Sequence, residues 1–465
     1  MASAAEQLAA NMNFGAFSKA TDLHKRLLFT LGALIVYRLG TFVPLPGIDK
    51  AAYASFFEQN QGGIFGMMNM FGGGAIEQMA VFALNLMPYI SASIIVQLMG
   101  SVYGPWEKLR KEGGEAGRKQ LNQYTRYLTV ILGLVQAFSI AFSLYNGGFV
   151  LDSLSQPVFI ASATIILTAG TLLLMWLGEQ ITARGIGNGS SMIIFAGIVA
   201  VLPRTIGTMF SLGSTGDLPV PALVGILILL LACVVFIVFM ERSQRRLRVQ
   251  YPKRQVGNRI VGGESSFMPL KVNTAGVIPP IFASSLLLMP TSVASFLSQN
   301  NAADQPQWLQ IVGQVAGTLT HGNAIFTALY AFLIIFFCFL YTSLVFNPEE
   351  TAENLRKYGG FLPGIRPGKR TAEYLDHVLT RVTVVGAGYI TIVCLLPEIL
   401  ISTMGNAFYF GGTSILIVVT VTMDTVAQIQ SHLLAHQYDG LIRKSKLKTG
   451  GKSAAGAAKS RGALR

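Results

Sequence analysis

Ten apolar stretches, each about as long as a helix must be to cross a bilayer, divide this 465-residue chain. They run roughly over 27–45, 79–100, 127–145, 159–177, 186–202, 218–240, 272–290, 324–346, 382–400 and 408–434. Crossing the hydrocarbon core takes about 20 apolar residues in a helix. Inside lipid every backbone polar group must find its partner within the protein, which leaves helices or a closed barrel. No amphipathic-strand alternation is sustained, which argues against a barrel. Composition agrees: 52% of the residues are hydrophobic and only 12% charged. That apolar content excludes a disordered chain. Three cysteines, Cys233, Cys338 and Cys394, each inside an apolar run, exclude a disulfide scaffold. The 26 residues ahead of the first stretch show no small-residue cleavage site, so they are expected to be a retained tail rather than a signal peptide.

The net charge of +13 has a location. With ten spans, 32 of the 35 Lys and Arg fall in one set of alternating segments and two in the other, with Arg38 inside the first span. The positive-inside rule then predicts both termini in the cytoplasm. The expected organisation is a cytoplasmic tail over 1–26, a five-helix half over 27–202, and a second over 203–434. A basic cytoplasmic tail over 435–465 follows, disordered towards its end.

Five spans per half force opposite orientations on the two halves, the arithmetic of an inverted repeat with a path between them. The second span of each half carries P-x-I-x-A-S, as Pro88-Tyr89-Ile90-Ser91-Ala92-Ser93 and Pro279-Pro280-Ile281-Phe282-Ala283-Ser284. Chance would also produce such a match, since Pro and small residues are common in membrane helices. Small residues on paired helices permit close approach with weak adhesion.

The spans hold few ionisable groups: Arg38, Glu77, Glu179, Glu398 and Asp424. The three glutamates lie at span ends, where water or head groups solvate them, and Arg38 is placed to snorkel. Asp424 is the deepest, read either as a hydrogen-bonded structural residue or as a relay. Apart from His432 at the cytoplasmic end of the last, no span offers a histidine, and none offers a metal-ligand spacing or a nucleophile–base pair, so no catalysis and no cofactor are expected. Two segments break the pattern. Residues 62–74 are apolar, too short to cross, and hinged by glycines at both ends. They suit either a permanently packed re-entrant loop or a short helix able to leave its cavity, with adaptable Met side chains on it. The long basic loops 241–271 and 347–381 suit anionic lipid, RNA phosphates or an acidic protein surface.

Several motifs are specific enough to carry a resemblance. Met87-Pro88-Tyr89-Ile90-Ser91-Ala92-Ser93-Ile94-Ile95, Trp176-Leu177-Gly178-Glu179-Gln180-Ile181-Thr182, Gly185-Ile186-Gly187-Asn188-Gly189, Pro363-Gly364-Ile365-Arg366-Pro367-Gly368 and Phe408-Tyr409-Phe410-Gly411-Gly412-Thr413-Ser414 resemble the SecY family of protein-conducting channels, over about 23–447.

The resemblance implies an all-α, polytopic bacterial inner-membrane protein, with ten transmembrane helices in two inverted halves around a central pore. Its pore ring would fall on Leu86, Ile90, Ser190, Ile194, Ile281 and Ile417, with Ser190 departing from the aliphatic pattern. A displaceable plug would carry Ile64, Phe65, Met67, Met68, Met70 and Phe71. A lateral gate would place Pro88, Ser91, Ala92 and Ser93 against Pro279, Phe282 and Ser284. Docking of the motor ATPase SecA or a ribosome would fall to Arg245, Arg246, Arg254, Arg259 and Arg366. SecE and SecG would be companion subunits, signal sequences and nascent polypeptides the substrate, and membrane lipids the surroundings. A small-solute transporter and a membrane-bound RNA-docking scaffold are the rival readings. The scarcity of interior ionisable residues counts against the transporter.

Overall fold

The structure, a computed structural model, describes residues 21–59, 69–111, 113–151, 154–215, 219–251, 254–256, 259–261, 265–297, 324–404 and 412–435. Among them each of the ten expected stretches is met by a helix: α1 (Thr21–Gly40), α3 (Met87–Val102), α5 (Gly114–Asn146), α6 (Gln156–Arg184), α7 (Gly189–Thr215), α8 (Val220–Arg242), α9 (Ile278–Leu297), α10 (Ala324–Val345), α12 (Lys369–Met404) and α13 (Gly412–Ala435). Three short helices complete the described set: α2 (Lys50–Gln59), α4 (Gly104–Lys111) and α11 (Pro348–Lys357). Seven of these helices are long and apolar enough to cross a membrane by themselves. The exceptions among the ten are α1, with its charged ends, the 16-residue α3, and α9.

Two boundaries differ from expectation. The second stretch was expected to be helical from residue 79, yet residues 72–86 wind through turns and α3 starts at Met87. Apolar residues line this segment, but it is buried in protein, where irregular backbone is tolerated at membrane depth. The fifth stretch was expected to stop before Pro203, and α7 instead continues through it to Thr215. The helix loses one i→i−4 bond there without ending.

The chain divides into two compact units. One comprises the chain up to Val36, Leu177–Ile193 and the chain from Val421. Its centre is the Gly185–Gly189 turn: Thr30 Oγ1 accepts from the Ile186 amide at 3.1 Å, and Gln428 Oε1 from the Gly187 amide at 2.8 Å. Leu23, Leu27, Ile186, Ile429 and Leu433 pack around it.

The other unit comprises Tyr37–Trp176 and Ile194–Thr420. Tyr53 and Phe57 of α2 join Met79, Ala137, Ile140 and Leu144 of α5, and Phe159 and Leu167 of α6, in one apolar cluster. Within this unit α3 packs on α5 and α9, and α9 packs on α5 and α10. Strands β1 (Gln244–Gln250) and β4 (Ser265–Lys271) form an antiparallel hairpin with Arg248 opposite Phe267, while β2 (Arg254–Val256) pairs with β3 (Arg259–Val261). Alternation turns Leu247 and Val249 inward, where they pack with Leu270, Ala352 of α11, Leu362 and Leu375 of α12. Gln250 and Phe361 exchange backbone hydrogen bonds, both 2.9 Å. The two long basic loops are therefore one packed body.

Candidate functional site

The glycine-hinged segment is described from Asn69 onward; Ile64, Phe65, Met67 and Met68 lie outside the described residues. Met70 and Phe71 are buried. Ser414 of α13 donates its hydroxyl to Met70 Sδ at 3.3 Å. Asn85, held at φ 49°, donates its side-chain amide to the Phe71 carbonyl at 2.6 Å. The Glu77 amide donates to Asn69 Oδ1 at 3.0 Å, closing the following turns back onto the segment.

Arg38, expected to snorkel, donates instead to the Gly73 carbonyl, and its guanidinium lies 4.5 Å from the Phe42 ring centroid. Glu77, expected to be solvated at a span end, takes Nη1 of Arg204 on both carboxylate oxygens, at 2.6 and 2.7 Å. Gly197 of α7 brings helix backbone against the segment: a Cβ there would lie 2.7 Å from the Phe71 carbonyl oxygen and 2.9 Å from Tyr37 Oη. Arg38, Asn69, Glu77, Arg204 and Thr208 line a cavity of about 300 Å³ beside it. The described part of the apolar segment, 69–74, is thus held by Asn85, Arg38, Ser414 and the Glu77 amide, while Asn85 Oδ1 and Tyr37 Oη beside it are buried without a hydrogen-bond partner.

The expected ring positions occupy helix starts and middles. Leu86 caps α3, and Ile90 stands one turn on, its amide bonded to the Leu86 carbonyl at 2.9 Å. Ile281 lies in the first turn of α9, Ile194 on α7 and Ile417 on α13; all five are buried, Ile417 completely. Ser190 is half-buried in the first turn of α7. Its hydroxyl donates to Asn188 Oδ1 at 2.7 Å, so the polar side chain is satisfied by the residue that precedes the helix.

Of the expected gate residues, Pro88, Ser91 and Ala92 on α3 and Pro279, Phe282 and Ser284 on α9 are buried, and Ser93 is half-buried. The serines bond locally: Ser284 donates to the Ile281 carbonyl at 3.0 Å, and Ser93 Oγ accepts from Gln97 at 2.9 Å. Between the two helices lies the weak Ser285 hydroxyl to Met87 Sδ contact at 3.7 Å. Phe282 meets Phe337 edge-on at 5.9 Å.

On the hairpin body Arg245, Arg246 and Arg366 are exposed. Arg254 and Arg259 sit on the β2–β3 ladder, beyond which nothing of their side chains is described. Gly364 and Gly368, at φ 82° and 108°, bracket Arg366 in a turn that Thr371 closes on the Arg366 carbonyl at 2.9 Å. Asp424 corrects the expectation of a hydrogen-bonded structural residue: it is exposed, without a partner among the described residues. No residue over 422–435 is buried, so α13 offers it no core. Among the described residues no group of three or more His, Cys, Asp or Glu could hold a metal ion.

Sequence reasoning missed the Arg38, Glu77 and Arg204 contacts, which join residues 35 and 127 positions apart. It also missed a buried trio, Glu241, Asn273 and Tyr389, bonded across 148 positions. Nothing in a local pattern marks any of them.

Ten described helices, seven of them long and apolar enough to cross a membrane, define the class as an all-α polytopic membrane protein. The chain belongs to the SecY family, whose model matches residues 80–426. It is 52% identical over 431 residues to the protein translocase subunit SecY of Vibrio cholerae, covering 93% of this chain and 96% of that one. Its fold is similar to two solved channels at low sequence identity. One is a SecY protein whose plug domain stabilises the closed state of the translocation channel and maintains a membrane seal (TM-score 0.62, 18% identity, covering 89% and 93% of the two chains). The other is Sec61 in the canine ribosome–channel complex from the endoplasmic reticulum (TM-score 0.60, 17% identity, 89% and 93%).

Proposed function

We infer that the chain is the channel subunit of a protein translocase, passing unfolded secretory polypeptides across the bacterial inner membrane and releasing membrane-protein helices sideways into lipid. The observation that carries this is the seated apolar segment, with Met70 and Phe71 buried and held by Ser414, Asn85 and Arg38. An apolar constriction of Leu86, Ile90, Ile194, Ile281 and Ile417 dewets and resists ions. Flexible aliphatic side chains can nonetheless close around a chain of any sequence. Ser190, the remaining ring position implied by the resemblance, is polar and already bonded to Asn188. The plug is the 62–74 segment, which leaves its seat when a polypeptide enters.

The lateral gate lies between α3 and α9. Ser93 and Ser284 bond within their own helices and Ser285 reaches across only to a weak sulfur acceptor, which supports parting at small cost. An apolar 20-residue stretch then partitions into hydrocarbon, whereas a polar chain is repelled by it. The chain performs no chemical step. SecA or a translating ribosome docks on the exposed arginines of the hairpin body, Arg245, Arg246 and Arg366 foremost, with Arg254 and Arg259 assigned with them. SecE clamps the halves and SecG lies at the periphery. Both termini are cytoplasmic, as the charge asymmetry supports.

The test is reconstitution of the purified complex in liposomes with SecA, ATP and a secretory precursor. Precursor protected from added protease, in amounts that rise with ATP, is the expected result. Protection equal to that of protein-free liposomes would overturn the reading.

A further inference from the structure

The docking hairpin leaves the membrane from between α8 and α9, and its base is closed by side chains the docking reading does not use. The Val272 amide donates to the Ser243 carbonyl at 3.0 Å, pairing the two residues that flank the strands. Two residues before Ser243 and one after Val272, Glu241 and Asn273 are both buried, as is Tyr389 of α12. Tyr389 donates its hydroxyl to Glu241 Oε2 at 2.9 Å, and Asn273 Nδ2 lies 3.1 Å from the same oxygen and 3.0 Å from the Tyr389 hydroxyl.

Asn273 also shapes the turn into α9. Its Oδ1 accepts from the Gly276 amide at 2.9 Å, and Nδ2 lies 3.1 Å from the Gly276 carbonyl, so its two hydrogens are shared. The backbone of α12 presses on the same joint: a Cβ at Gly386 would lie 2.5 Å from the Val272 carbonyl oxygen. Gly386 and Tyr389 are three apart, on one face of α12.

The position of Glu241 is costly. It lies in the last turn of α8, where exposed carbonyls already make the helix end negative, and it is only 7% exposed. Buried polar networks are high-stakes arrangements that fix one geometry when every member is satisfied. An apolar side chain would fill this space without that demand, but would leave the joint free to pivot.

We propose that Glu241, Asn273 and Tyr389 form an elbow that locks the docking hairpin to the start of α9, so that a push on the hairpin arginines is delivered to the lateral-gate helix. Glu241 is a positioning residue: it touches no substrate and acts through the orientation of Asn273. The inference rests on the channel reading above.

The test uses spin-label pairs in the reconstituted complex, read by pulsed dipolar spectroscopy with and without SecA. One pair joins Arg248 of the hairpin to Leu286 of α9; the other joins Met99 of α3 to Leu286. In the parent protein, SecA is expected to lengthen the α3–α9 distance and leave the hairpin–α9 distance unchanged. In Tyr389→Phe and Glu241→Gln, the hairpin–α9 distribution should broaden and the α3–α9 distance should no longer respond. SecA affinity and abundance should stay within about twofold, with translocation down at least fivefold. Distances responding as in the parent, or translocation falling only in step with abundance, would overturn the elbow. Tyr389→Phe removes one hydroxyl and keeps the reasoning testable should Glu241→Gln not fold. A parent complex that moves no precursor would instead overturn the channel reading.

Discussion

Replacing Gly197 with Ala places a methyl group where α7 meets the seated segment. At its ideal position it lies 2.7 Å from the Phe71 carbonyl oxygen, 2.9 Å from Tyr37 Oη and 3.3 Å from the Gly73 amide nitrogen. The first two are shorter than real Cβ contacts allow, and the nearer is backbone rather than a side-chain tip. Relief requires residues 71–73 to move, against the Asn85 and Arg38 hydrogen bonds that hold them. Overpacking of this kind costs about 1–3 kcal/mol.

In α7 itself Ala is a better helix former than Gly, by up to about 1 kcal/mol. That gain is present whether the segment is seated or displaced, so it cancels from the seating equilibrium. The displaced population should therefore rise roughly 5- to 150-fold, a tenfold change corresponding to about 1.4 kcal/mol. Single-channel recording of the complex in planar bilayers reads this directly, as resting open probability. Thermal stability of the same preparation should stay level or fall slightly, since the overpacking cost of the seated state exceeds the helix gain. Resting conductance equal to that of the parent, in protein of normal stability, would refute the account of the seat.

The Arg204–Glu77 pair is two-thirds exposed on the arginine side, so its contribution is at most about 1 kcal/mol. Arg204→Ala, Glu77→Gln and the double variant should each raise resting leak by up to about fivefold and to the same extent. The differences should shrink above about 0.5 M salt, where the screening length is only a few ångström; additive effects would show that the two side chains act separately. Deleting residues 62–74 should raise ion leakage while membrane insertion of the channel is intact, and unchanged conductance would count against the plug. Charge reversal at Arg366, exposed in its glycine-bracketed turn, should reduce SecA- or ribosome-dependent transport more than abundance. Equal losses would point to folding instead.

The ten spans were legible because lipid imposes a length and an apolar composition, and because Lys and Arg fall so unevenly between alternating segments. What hydropathy could not register is whether an apolar segment is helical. Residues 72–86 read as the first half of a span, yet protein around them satisfies their turns and α3 begins at Met87. Pro203 misled in the opposite direction, since α7 absorbs it.

At the site, motif resemblance located positions such as Ile90 and Ile281, because those residues sit in contiguous runs. It could not supply the partners of Arg38, Glu77 and Glu241. Arg38 read as a charge inside the first span, Glu77 as one at a span end and Glu241 as the start of a basic loop, and each is tied to a residue on a different element. Burial and pairing of a charge are properties of packing, and packing brings together residues that the chain keeps far apart.

The central claim is that a polypeptide passes among α3, α7, α9 and α13 at the level of the aliphatic side chains. A secretory chain arrested halfway through the reconstituted channel, with photoreactive probes at Ile90, Ile281 and Ile417, tests it directly. Crosslinks from all three positions to the arrested chain, lost when the chain is released, are the predicted result. An arrested, protease-protected chain that crosslinks from none of the three would contradict the account.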